Sequence, residues 1–264
     1  GAAAGAHRGR RQTQVGGETM RTEEIERNVV RGRGIVGGGT DQGGAAAASD
    51  GSRGDADLQT ADRGLGAVTA NVEKQIGKGK IMPAEGAALL NRITTGRDYA
   101  VLATVDWLFE AVPEDLALKQ KIFAQLDAIC KPACVFASNT SGLSITAMAA
   151  VTGRRAGFIG MHFFNPVPVM RLLEVAKGCD TSDETYFAAL ELGLKLGKEP
   201  VTVAEAPLFV VNRILMSMIN EAIFVLHEGV ATAEDVDKAM LLGANLPIGP
   251  LGLADLIGLD TLLQ

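Results

Sequence analysis

Residues 160–174 read Gly-Met-His-Phe-Phe-Asn-Pro-Val-Pro-Val-Met-Arg-Leu-Leu-Glu, which sets a histidine and a carboxylate among apolar residues. His162 is one of three histidines in the chain, and an imidazole can transfer a proton near neutral pH. Glu174 lies 12 residues further on, too far for one helical face, whereas two strand ends joined by a proline-interrupted loop would bring the two side chains together. The alternative is a core histidine bonded to the backbone, with Glu174 in solvent.

The composition indicates a globular protein with a moderate negative charge. With 264 residues and 47% apolar content, the chain is long enough for two domains. The formal net charge of −6 offers no overall attraction for a phosphate backbone, so we expect no nucleic-acid partner. No apolar run is as long as a membrane span and no signal-peptide pattern opens the chain, so we expect neither membrane insertion nor secretion.

The three cysteines are an odd number and lack the spacing of a metal site. They predict reduced thiols, no metal, and a reducing compartment. We therefore expect a cytoplasmic protein, or one of the mitochondrial matrix if the organism is eukaryotic.

Residues 1–33 contain seven arginines and four glutamates without apolar periodicity, so we predict a disordered extension. The next residues, 34–44, read GIVGGGTDQGG and predict a short strand, a glycine turn and the start of a helix. Such a turn admits a pyrophosphate, with Gly37 and Gly39 in the first two positions of G-x-G-x-x-G and Gln42 in the third. A flexible glycine and alanine linker is the alternative.

A dinucleotide-binding unit would next need a second strand that ends in an acidic residue. Asp55 lies 18 residues after Gly37 and is the candidate for binding the ribose hydroxyls. Residues 49–54 read SDGSRG, however, and predict no strand. The sequence therefore supplies the acid without the strand that should present it.

The chain from residue 62 to residue 141 alternates between helix and strand patterns. Apolar spacing predicts helices over 62–80, 83–93 and 118–129 and buried strands at 107–109 and 134–137, with residues 99–103 approaching the first strand. This alternation favours a parallel sheet, which binds ligands at the carboxyl ends of its strands. Ser138-Asn-Thr-Ser141 follows the second strand, either as site residues or as the N-cap of a helix that begins near Leu143.

The residues after Pro207 predict helices only. Apolar residues repeat at helical spacing from Val210 to Leu226, on a face wide enough to contact two neighbouring helices. Thr232 resembles the first residue of a capping box and opens another helix, which should end at Leu242. His227 is expected on the surface near a helix C-terminus.

Four motifs occur in a specific order and spacing: SNTSGLSI from Ser138, GMHFFNPVPVM from Gly160, LEV from Leu173 and FVVNR from Phe209. Together they resemble the 3-hydroxyacyl-CoA dehydrogenase family, most closely its bacterial 3-hydroxybutyryl-CoA members. The resemblance implies an α/β fold with a Rossmann-type, mostly parallel sheet domain over 34–206. A smaller all-helical domain over 207–264 would follow, C-terminally truncated relative to the family.

The resemblance also implies a set of site residues. His162 would be the general base and Glu174 the carboxylate that orients it, while Ser141 and Asn212 would bond the substrate oxygen and hold the catalytic geometry. The positions implied for NAD are Gly37, Gly39, Asp55, Glu114, Lys119, Ser141 and Asn165. Those implied for coenzyme A are Asn71, Lys78 and Lys80.

The implied activity is the NAD-dependent interconversion of short-chain (S)-3-hydroxyacyl-CoA and 3-ketoacyl-CoA by a homodimer that binds acyl-CoA. Asp55 favours NAD, whereas the nearby Arg53 would suit the 2′-phosphate of NADP. The sequence departs from the family pattern at Gln42, in place of the third glycine of the turn, and at Leu208, in place of the glycine after Pro207. The first helix and second strand are also shorter than usual, and the second strand lacks apolar character. Loss of the cofactor unit would leave a non-enzymatic acyl-CoA-binding or structural relative, which is the alternative function.

Overall fold

The computed structural model describes residues 27–32, 50–54, 58–96 and 99–262. Within these ranges the strands are β1 (Arg27–Gly32), β2 (Asp50–Gly54), β3 (Ile93–Gly96), β4 (Trp107–Ala111), β5 (Val135–Ser138), β6 (Phe158–Phe163), β7 (Leu172–Lys177) and β8 (Glu199–Ala204). They form one sheet in the order β3-β2-β1-β4-β5-β6-β7-β8. Neighbouring strands are parallel except for β6 and β7, which are antiparallel. The predicted α/β fold with a mostly parallel sheet is confirmed.

The helices of the described ranges are α1 (Leu58–Gly77), α2 (Pro83–Asn91), α3 (Leu116–Asp127), α4 (Ile145–Ala149), α5 (Asp183–Lys195), α6 (Val211–His227), α7 (Ala233–Gly243), α8 (Pro250–Ile257) and α9 (Leu259–Leu262). Two 3-10 helices, Tyr99–Thr104 and Arg155–Gly157, connect other elements. Polar side chains begin several helices: Asp115 accepts from the Leu118 amide at α3, and Thr232 accepts from the Asp235 amide at α7. The predicted cap at Thr232 is confirmed.

The core lies on both faces of the sheet. Successive residues of a strand point to opposite faces, so Trp107 and Phe109 of β4 join one apolar cluster while Leu108 joins the other. The first cluster contains the α5 residues Ala189 and Leu192, and the second contains residues of α3 and α4. Because both faces are covered, the strands read as continuous apolar runs. This is why residues 107–109 and 134–137 were recognisable as strands.

The prediction of a disordered extension over residues 1–33 is wrong for its last part. Residues Arg27–Gly32 form β1, which pairs with β2 on one side and β4 on the other. The arginines and Asn28 masked a strand whose apolar signal is limited to Val29 and Val30. The strand that the sequence placed at residues 34–36 lies outside the described residues, as do residues 1–26.

The prediction of no strand at residues 49–54 is also wrong, because Asp50–Gly54 forms β2. This strand pairs through its backbone with β1 and with β3. Backbone pairing satisfies the N–H and C=O groups whatever the side chains are. Two neighbouring strands can therefore hold residues 50–54 in a strand although these residues have no apolar pattern. Two smaller errors concern β3, which the sequence did not predict, and residues 99–104, which form a 3-10 helix.

The C-terminal part consists of helices α6 to α9. The prediction that α6 contacts two neighbours is confirmed, since it packs against α7 and α8. Several of its apolar side chains nevertheless face solvent, among them Ile214 at 62% and Phe224 at 49% exposure. His227 ends α6 and is exposed, as predicted.

In the described part of the chain, no helix combines the length and the apolar character needed to cross a membrane. Cys130 and Cys134 are buried free thiols, and Cys179 is an exposed one.

Replacing Phe158 with Ala tests the core beneath β6. Phe158 is 0% exposed and meets the ring of Phe123 edge to face at 4.6 Å between centroids. We expect the free energy of unfolding, measured by urea denaturation, to fall by about 3–5 kcal/mol, because the variant leaves a cavity. The control is Phe187→Ala, at a side chain that is 58% exposed, and it should change the value by about 0.5 kcal/mol or less. Equal effects of the two variants would contradict this placement of the core.

Candidate active site

The strand register brings His162 and Glu174 together. The two residues are directly opposite each other in the antiparallel β6–β7 pair, so their side chains project from the same face of the sheet. His162 Nδ1 lies 2.8 Å from Glu174 Oε2. The expectation that two strand ends would join these side chains is therefore confirmed, and the alternative of Glu174 in solvent is wrong.

The pair lies in an apolar environment. His162 is 6% exposed and Glu174 is 1% exposed. The ring of Phe164 lies 4.4 Å from the imidazole between centroids, and the ring of Phe209 lies 6.0 Å from it. Burial strengthens the interaction between the carboxylate and the imidazole, because little water competes for either group.

The second oxygen of Glu174 binds the start of α6. Glu174 Oε1 accepts hydrogen bonds from the backbone amides of Val210, at 3.2 Å, and Val211, at 3.1 Å. Val210 has no side-chain acceptor that could cap the helix, so a carboxylate from the sheet performs this task. The positive end of the helix dipole further stabilises the negative charge there.

These contacts determine the charge of Glu174. Burial alone would raise the pKa of its carboxyl group, but the hydrogen bond with His162 and those from the amides of Val211 and Val210 outweigh burial. The net result is a pKa below the ordinary value of 4.5. Glu174 is thus ionised at neutral pH, and it accepts the proton on His162 Nδ1. That tautomer leaves the lone pair of Nε2 available as a proton acceptor.

Ser141 lies in the loop after β5 and contacts Glu114. Glu114 Oε1 accepts from the Ser141 amide at 2.9 Å and from its hydroxyl at 3.4 Å, and it also accepts from the Thr140 hydroxyl. The N-cap of α4 is Ser144, not Ser141, because the Ser144 hydroxyl accepts from the Ala147 amide. The interpretation of the SNTS cluster as the cap of this helix is therefore wrong.

A buried network lies beneath this loop, and sequence reasoning missed one of its members, Glu110. Lys119, which is 1% exposed, donates to Glu110 Oε1 at 2.8 Å and to the carbonyl of Val112 at 3.1 Å. Its ammonium is also 3.3 Å from Glu114 Oε2. Glu110 is 0% exposed and accepts from the Ser138 hydroxyl at 2.7 Å. The available signal was a carboxylate inside the apolar run Trp107-Leu-Phe-Glu-Ala.

Two contacts join the Ser141 loop to the other site segments. Asn139 Oδ1 accepts from the amide of Phe163, the residue after His162, at 2.9 Å. Gly142 lies against the lead-in to α6, where a Cβ at position 142 would be 2.4 Å from the Leu208 nitrogen. Asn212 follows in the first turn of α6, next to the amide that binds Glu174. The four residues implied as catalytic therefore lie on the paired strands β6 and β7, on the Ser141 loop and at the start of α6, and the loop contacts both the strand pair and the lead-in to α6.

The lead-in to α6 is strained. Leu208 has φ of 63° and Phe209 has φ of 48°, in the left-handed region that side chains with a Cβ disfavour. Leu208 is the residue that departs from the family pattern, which has glycine there. The close contact with Gly142 and the Glu174 bonds to the next two amides hold this backbone in place.

The cofactor side of the site is described in part. Gly37, Gly39 and Asp55, the residues implied for the glycine turn and the ribose, lie outside the described residues. β1 ends at Gly32, and the sequence from there reads Gly32-Arg-Gly34-Ile-Val-Gly37, which has the full G-x-G-x-x-G spacing. The sequence prediction placed the first strand at residues 34–36, after the start of this motif, and therefore did not recognise it.

Two observations fit an NAD molecule. The first six strands have the order 3-2-1-4-5-6, which binds dinucleotides at the carboxyl ends between β1 and β4. β2 lies beside β1, at the second position of that order, and ends at Gly54, one residue before Asp55 in the sequence. Asn165 is exposed in the loop after β6, at the same edge of the sheet.

The residues implied for coenzyme A lie on and after α1. Asn71 is half-buried in α1, and Lys78 and Lys80 are exposed in the turn that follows it. Gly79 between the two lysines has φ of 65°, a conformation that glycine adopts without strain. Across the described ranges, no group of three or more His, Cys, Asp or Glu side chains is placed to hold a metal ion.

The strand order and the buried His–Glu pair define a Rossmann-type dehydrogenase, and comparisons with known proteins agree. The family model described as 3-hydroxyacyl-CoA dehydrogenase, NAD binding domain, matches residues 28–206, and that described as the C-terminal domain matches residues 209–264. The chain belongs to the 3-hydroxyacyl-CoA dehydrogenase family. It is accordingly an NAD-dependent oxidoreductase.

Individual relatives are similar over most of their length. The chain is 44% identical to the probable 3-hydroxybutyryl-CoA dehydrogenase of Bacillus subtilis over 241 residues, which cover 91% of this chain and 84% of the relative. It is 48% identical to the 3-hydroxybutyryl-CoA dehydrogenase of Clostridioides difficile over 202 residues, 76% of this chain and 72% of the relative. The crystal structure of (S)-3-hydroxybutyryl-CoA dehydrogenase from Ralstonia eutropha has a TM-score of 0.88 and 46% identity, covering 90% of this chain and 84% of that one.

Replacing Glu174 with Gln keeps the shape of the side chain and removes its charge. We expect the free energy of unfolding at neutral pH to fall by about 1–3 kcal/mol, since buried donors lose a charged acceptor. The pKa of Glu174 is lower in the folded protein than its ordinary 4.5, so its stabilising effect is complete above that pH and is lost as pH falls through the folded value. Urea unfolding at a series of pH values should show the gap between wild type and variant shrinking in acid. A gap of constant size at every pH would contradict the assignment.

Replacing Leu208 with Gly should relieve the left-handed strain before α6. We expect the free energy of unfolding to rise by about 0.5–1 kcal/mol, because the strain of a left-handed leucine exceeds the entropy that glycine adds to the unfolded chain. Leu194→Gly is the control, since this side chain is 61% exposed in α5 and glycine there should cost about 1 kcal/mol. Thermal melting compares the two variants. If both melt below the wild type by similar amounts, the strain is not released by glycine.

Proposed function

We propose that this protein interconverts short-chain (S)-3-hydroxyacyl-CoA, in particular 3-hydroxybutyryl-CoA, and the matching 3-ketoacyl-CoA, with His162 as the general base. The observation that carries the proposal is the buried 2.8 Å contact between His162 and an ionised Glu174 at the carboxyl end of β6. The short acyl chain is supported by the names of the relatives from Bacillus subtilis and Clostridioides difficile, both 3-hydroxybutyryl-CoA dehydrogenases.

The proton chemistry follows from the arrangement of the pair. In the oxidation direction, Nε2 of His162 takes the proton of the 3-hydroxyl group while Nδ1 keeps its proton toward Glu174. The imidazolium that forms is stabilised by the carboxylate beside it, in a site where both groups are shielded from water. Glu174 therefore acts twice, since it orients the ring and offsets the charge that the ring acquires. In the reduction direction the same imidazolium returns the proton.

Ser141 and Asn212 are proposed to bond the substrate oxygen. Both side chains are half-buried, and both belong to segments that contact the His162–Glu174 pair or the lead-in to α6. A hydroxyl or amide donor aimed at the oxygen stabilises the negative charge that develops on it during proton transfer. The hydrogen bond from the Ser141 amide to Glu114 would hold this loop in place, and the Ser141 hydroxyl would turn from Glu114 to the substrate oxygen when substrate binds.

Bound NAD supplies a nicotinamide ring that accepts the hydride leaving the substrate carbon. Residues of this chain proposed to hold it are Gly37, Gly39, Asp55, Glu114, Lys119, Ser141 and Asn165. Lys119 is linked to Glu114 and to the end of β4 and is 1% exposed, so its part would be to hold the more exposed Glu114 in place beside the ligand. The G-x-G-x-x-G motif that begins at Gly32 adds Gly32 and Gly34 to this set.

Coenzyme A is proposed to bind through Asn71, Lys78 and Lys80. Two exposed ammonium groups in one turn suit the phosphates of that molecule, and each remains free to adjust its long side chain. The exposed apolar residues of α6, α7 and α8, among them Ile214, Leu242 and Leu256, favour a homodimer that covers these helices. The reduced thiols are consistent with a cytoplasmic location.

The alternative of a non-enzymatic relative rested on the absence of a second strand near residue 50. That basis is removed, because β2 occupies the second position of the dinucleotide-binding order. The NAD-binding family match over residues 28–206 supports the enzyme rather than the binding protein.

The enzymatic proposal is tested with acetoacetyl-CoA and NADH, by following the nicotinamide absorbance. We expect steady oxidation of NADH by the wild type and a fall in kcat by a factor of about 100–10,000 in His162→Ala, because the variant lacks the acid and base group. His227→Ala is the matched control, since His227 is exposed at the end of α6, and its rate should equal that of the wild type. Full activity in folded His162→Ala would overturn the role of the ring. Failure of the wild type to oxidise NADH would overturn the activity.

A further inference from the structure

Lys198 is a buried cation outside the residues discussed so far. It lies in the turn between α5 and β8 and is 8% exposed. None of the described carboxylates forms an ion pair with it, and burial lowers the pKa of its ammonium below the ordinary 10.5. A lysine removed from water without a counter-charge is costly, so its hydrogen bonds have to compensate.

Those hydrogen bonds all go to one loop. Lys198 Nζ donates to the carbonyl of Val167 and, at 2.9 Å, to the carbonyl of Met170. Both carbonyls belong to residues 164–171, the loop between β6 and β7, which we name the proline loop. One ammonium therefore joins the first half of the proline loop to the second half.

The proline loop has few internal hydrogen bonds. From outside, the Arg171 carbonyl accepts from the Glu199 amide at 2.7 Å, and the exposed Arg171 guanidinium pairs with the Glu199 carboxylate. The loop's internal backbone bonds run from the amides of Val169 and Met170 to the single carbonyl of Pro166, each at 2.9 Å. The side chains of Val169 and Met170 are 71% and 41% exposed, so packing holds this half weakly. Val167 is 2% exposed and anchors the other half in the core. The ammonium of Lys198 is the charged contact between the anchored half and the exposed half.

The loop carries groups that the site depends on. Phe164 at its start lies 4.4 Å from the His162 ring, and Asn165 follows it. Displacement of the loop would change both the apolar cover of the imidazole and the place of the amide side chain. The β6–β7 register, by contrast, depends on strand pairing and not on the loop.

We propose that Lys198 is a positioning residue, whose ammonium clamps the proline loop so that Phe164 stays on the His162 ring and Asn165 faces the cofactor side. The role of Asn165 in this statement rests on the proposed function. The clamp itself rests on the two carbonyl contacts and on the burial of Lys198. Since the clamp acts on Asn165 more directly than on the His162–Glu174 pair, its loss should affect cofactor binding more than the chemical step.

The clamp is tested with Lys198→Met, which keeps the apolar stem and removes the donors, and with Lys198→Arg, which restores charge and donors. In Lys198→Met we expect the amides of Val169 and Met170 to exchange with deuterium about tenfold faster or more, since bonds from a charged donor are lost. The KM for NADH should rise about tenfold while kcat at saturating NADH changes by less than about threefold. Lys198→Arg should recover most of both values. Lys121→Met, at an exposed lysine of α3, is the control and should match the wild type.

Three further outcomes would test the proposal. A Lys198→Met protein that melts at a lower temperature but keeps wild-type exchange in the proline loop and wild-type KM would show a merely structural lysine and overturn it. If Lys198→Met does not fold, Lys198→Gln, which retains one polar donor group, should show faster loop exchange, and normal exchange there overturns the clamp. If the wild type does not turn over NADH, the proposed function fails, and the exchange measurement still decides whether Lys198 holds the loop.

Discussion

The antiparallel pairing of β6 with β7 is the constraint on which the site depends. All other neighbouring strands of the described sheet are parallel, and only this reversal allows a short loop to return the chain next to itself. The register then sets His162 opposite Glu174, on one face. A shift by one residue would turn the carboxylate to the other face of the sheet, where it could reach neither the ring nor α6.

Glu174 also connects the two parts of the molecule. One of its oxygens binds an imidazole of the sheet, and the other binds the first amides of a helix that belongs to the C-terminal part. The helix terminus lowers the cost of a buried charge, and the charge supplies the cap that Val210 lacks. Formation of the dyad and docking of α6 are thus linked, and the strained backbone at Leu208 lies at that junction.

Two buried lysines support the loops at the carboxyl edge. Lys119 links the loop after β4 to Glu110 and Glu114, and Lys198 links the two halves of the proline loop. The two buried ammonium groups are stabilised by different kinds of partner. Lys119 has carboxylate partners, so removal of either partner would leave an uncompensated charge. Among the residues that the structure describes, the ammonium of Lys198 donates to carbonyl groups and pairs with no carboxylate. In both cases hydrogen bonds from a buried ammonium hold the conformation of a loop at this edge of the sheet.

The sequence by itself determined the α/β alternation, the strand at Trp107, the helix that ends at His227 and the cap at Thr232, because apolar periodicity and capping residues are local signals. Its motifs also named His162 and Glu174. Tertiary structure alone decided that these two meet, since register depends on pairing between distant segments. It also decided β1 and β2, where backbone hydrogen bonds to neighbouring strands override side chains without a strand pattern. Glu110 and Lys198 escaped prediction for a related reason: a single charged residue in the sequence does not reveal whether folding will surround it with partners.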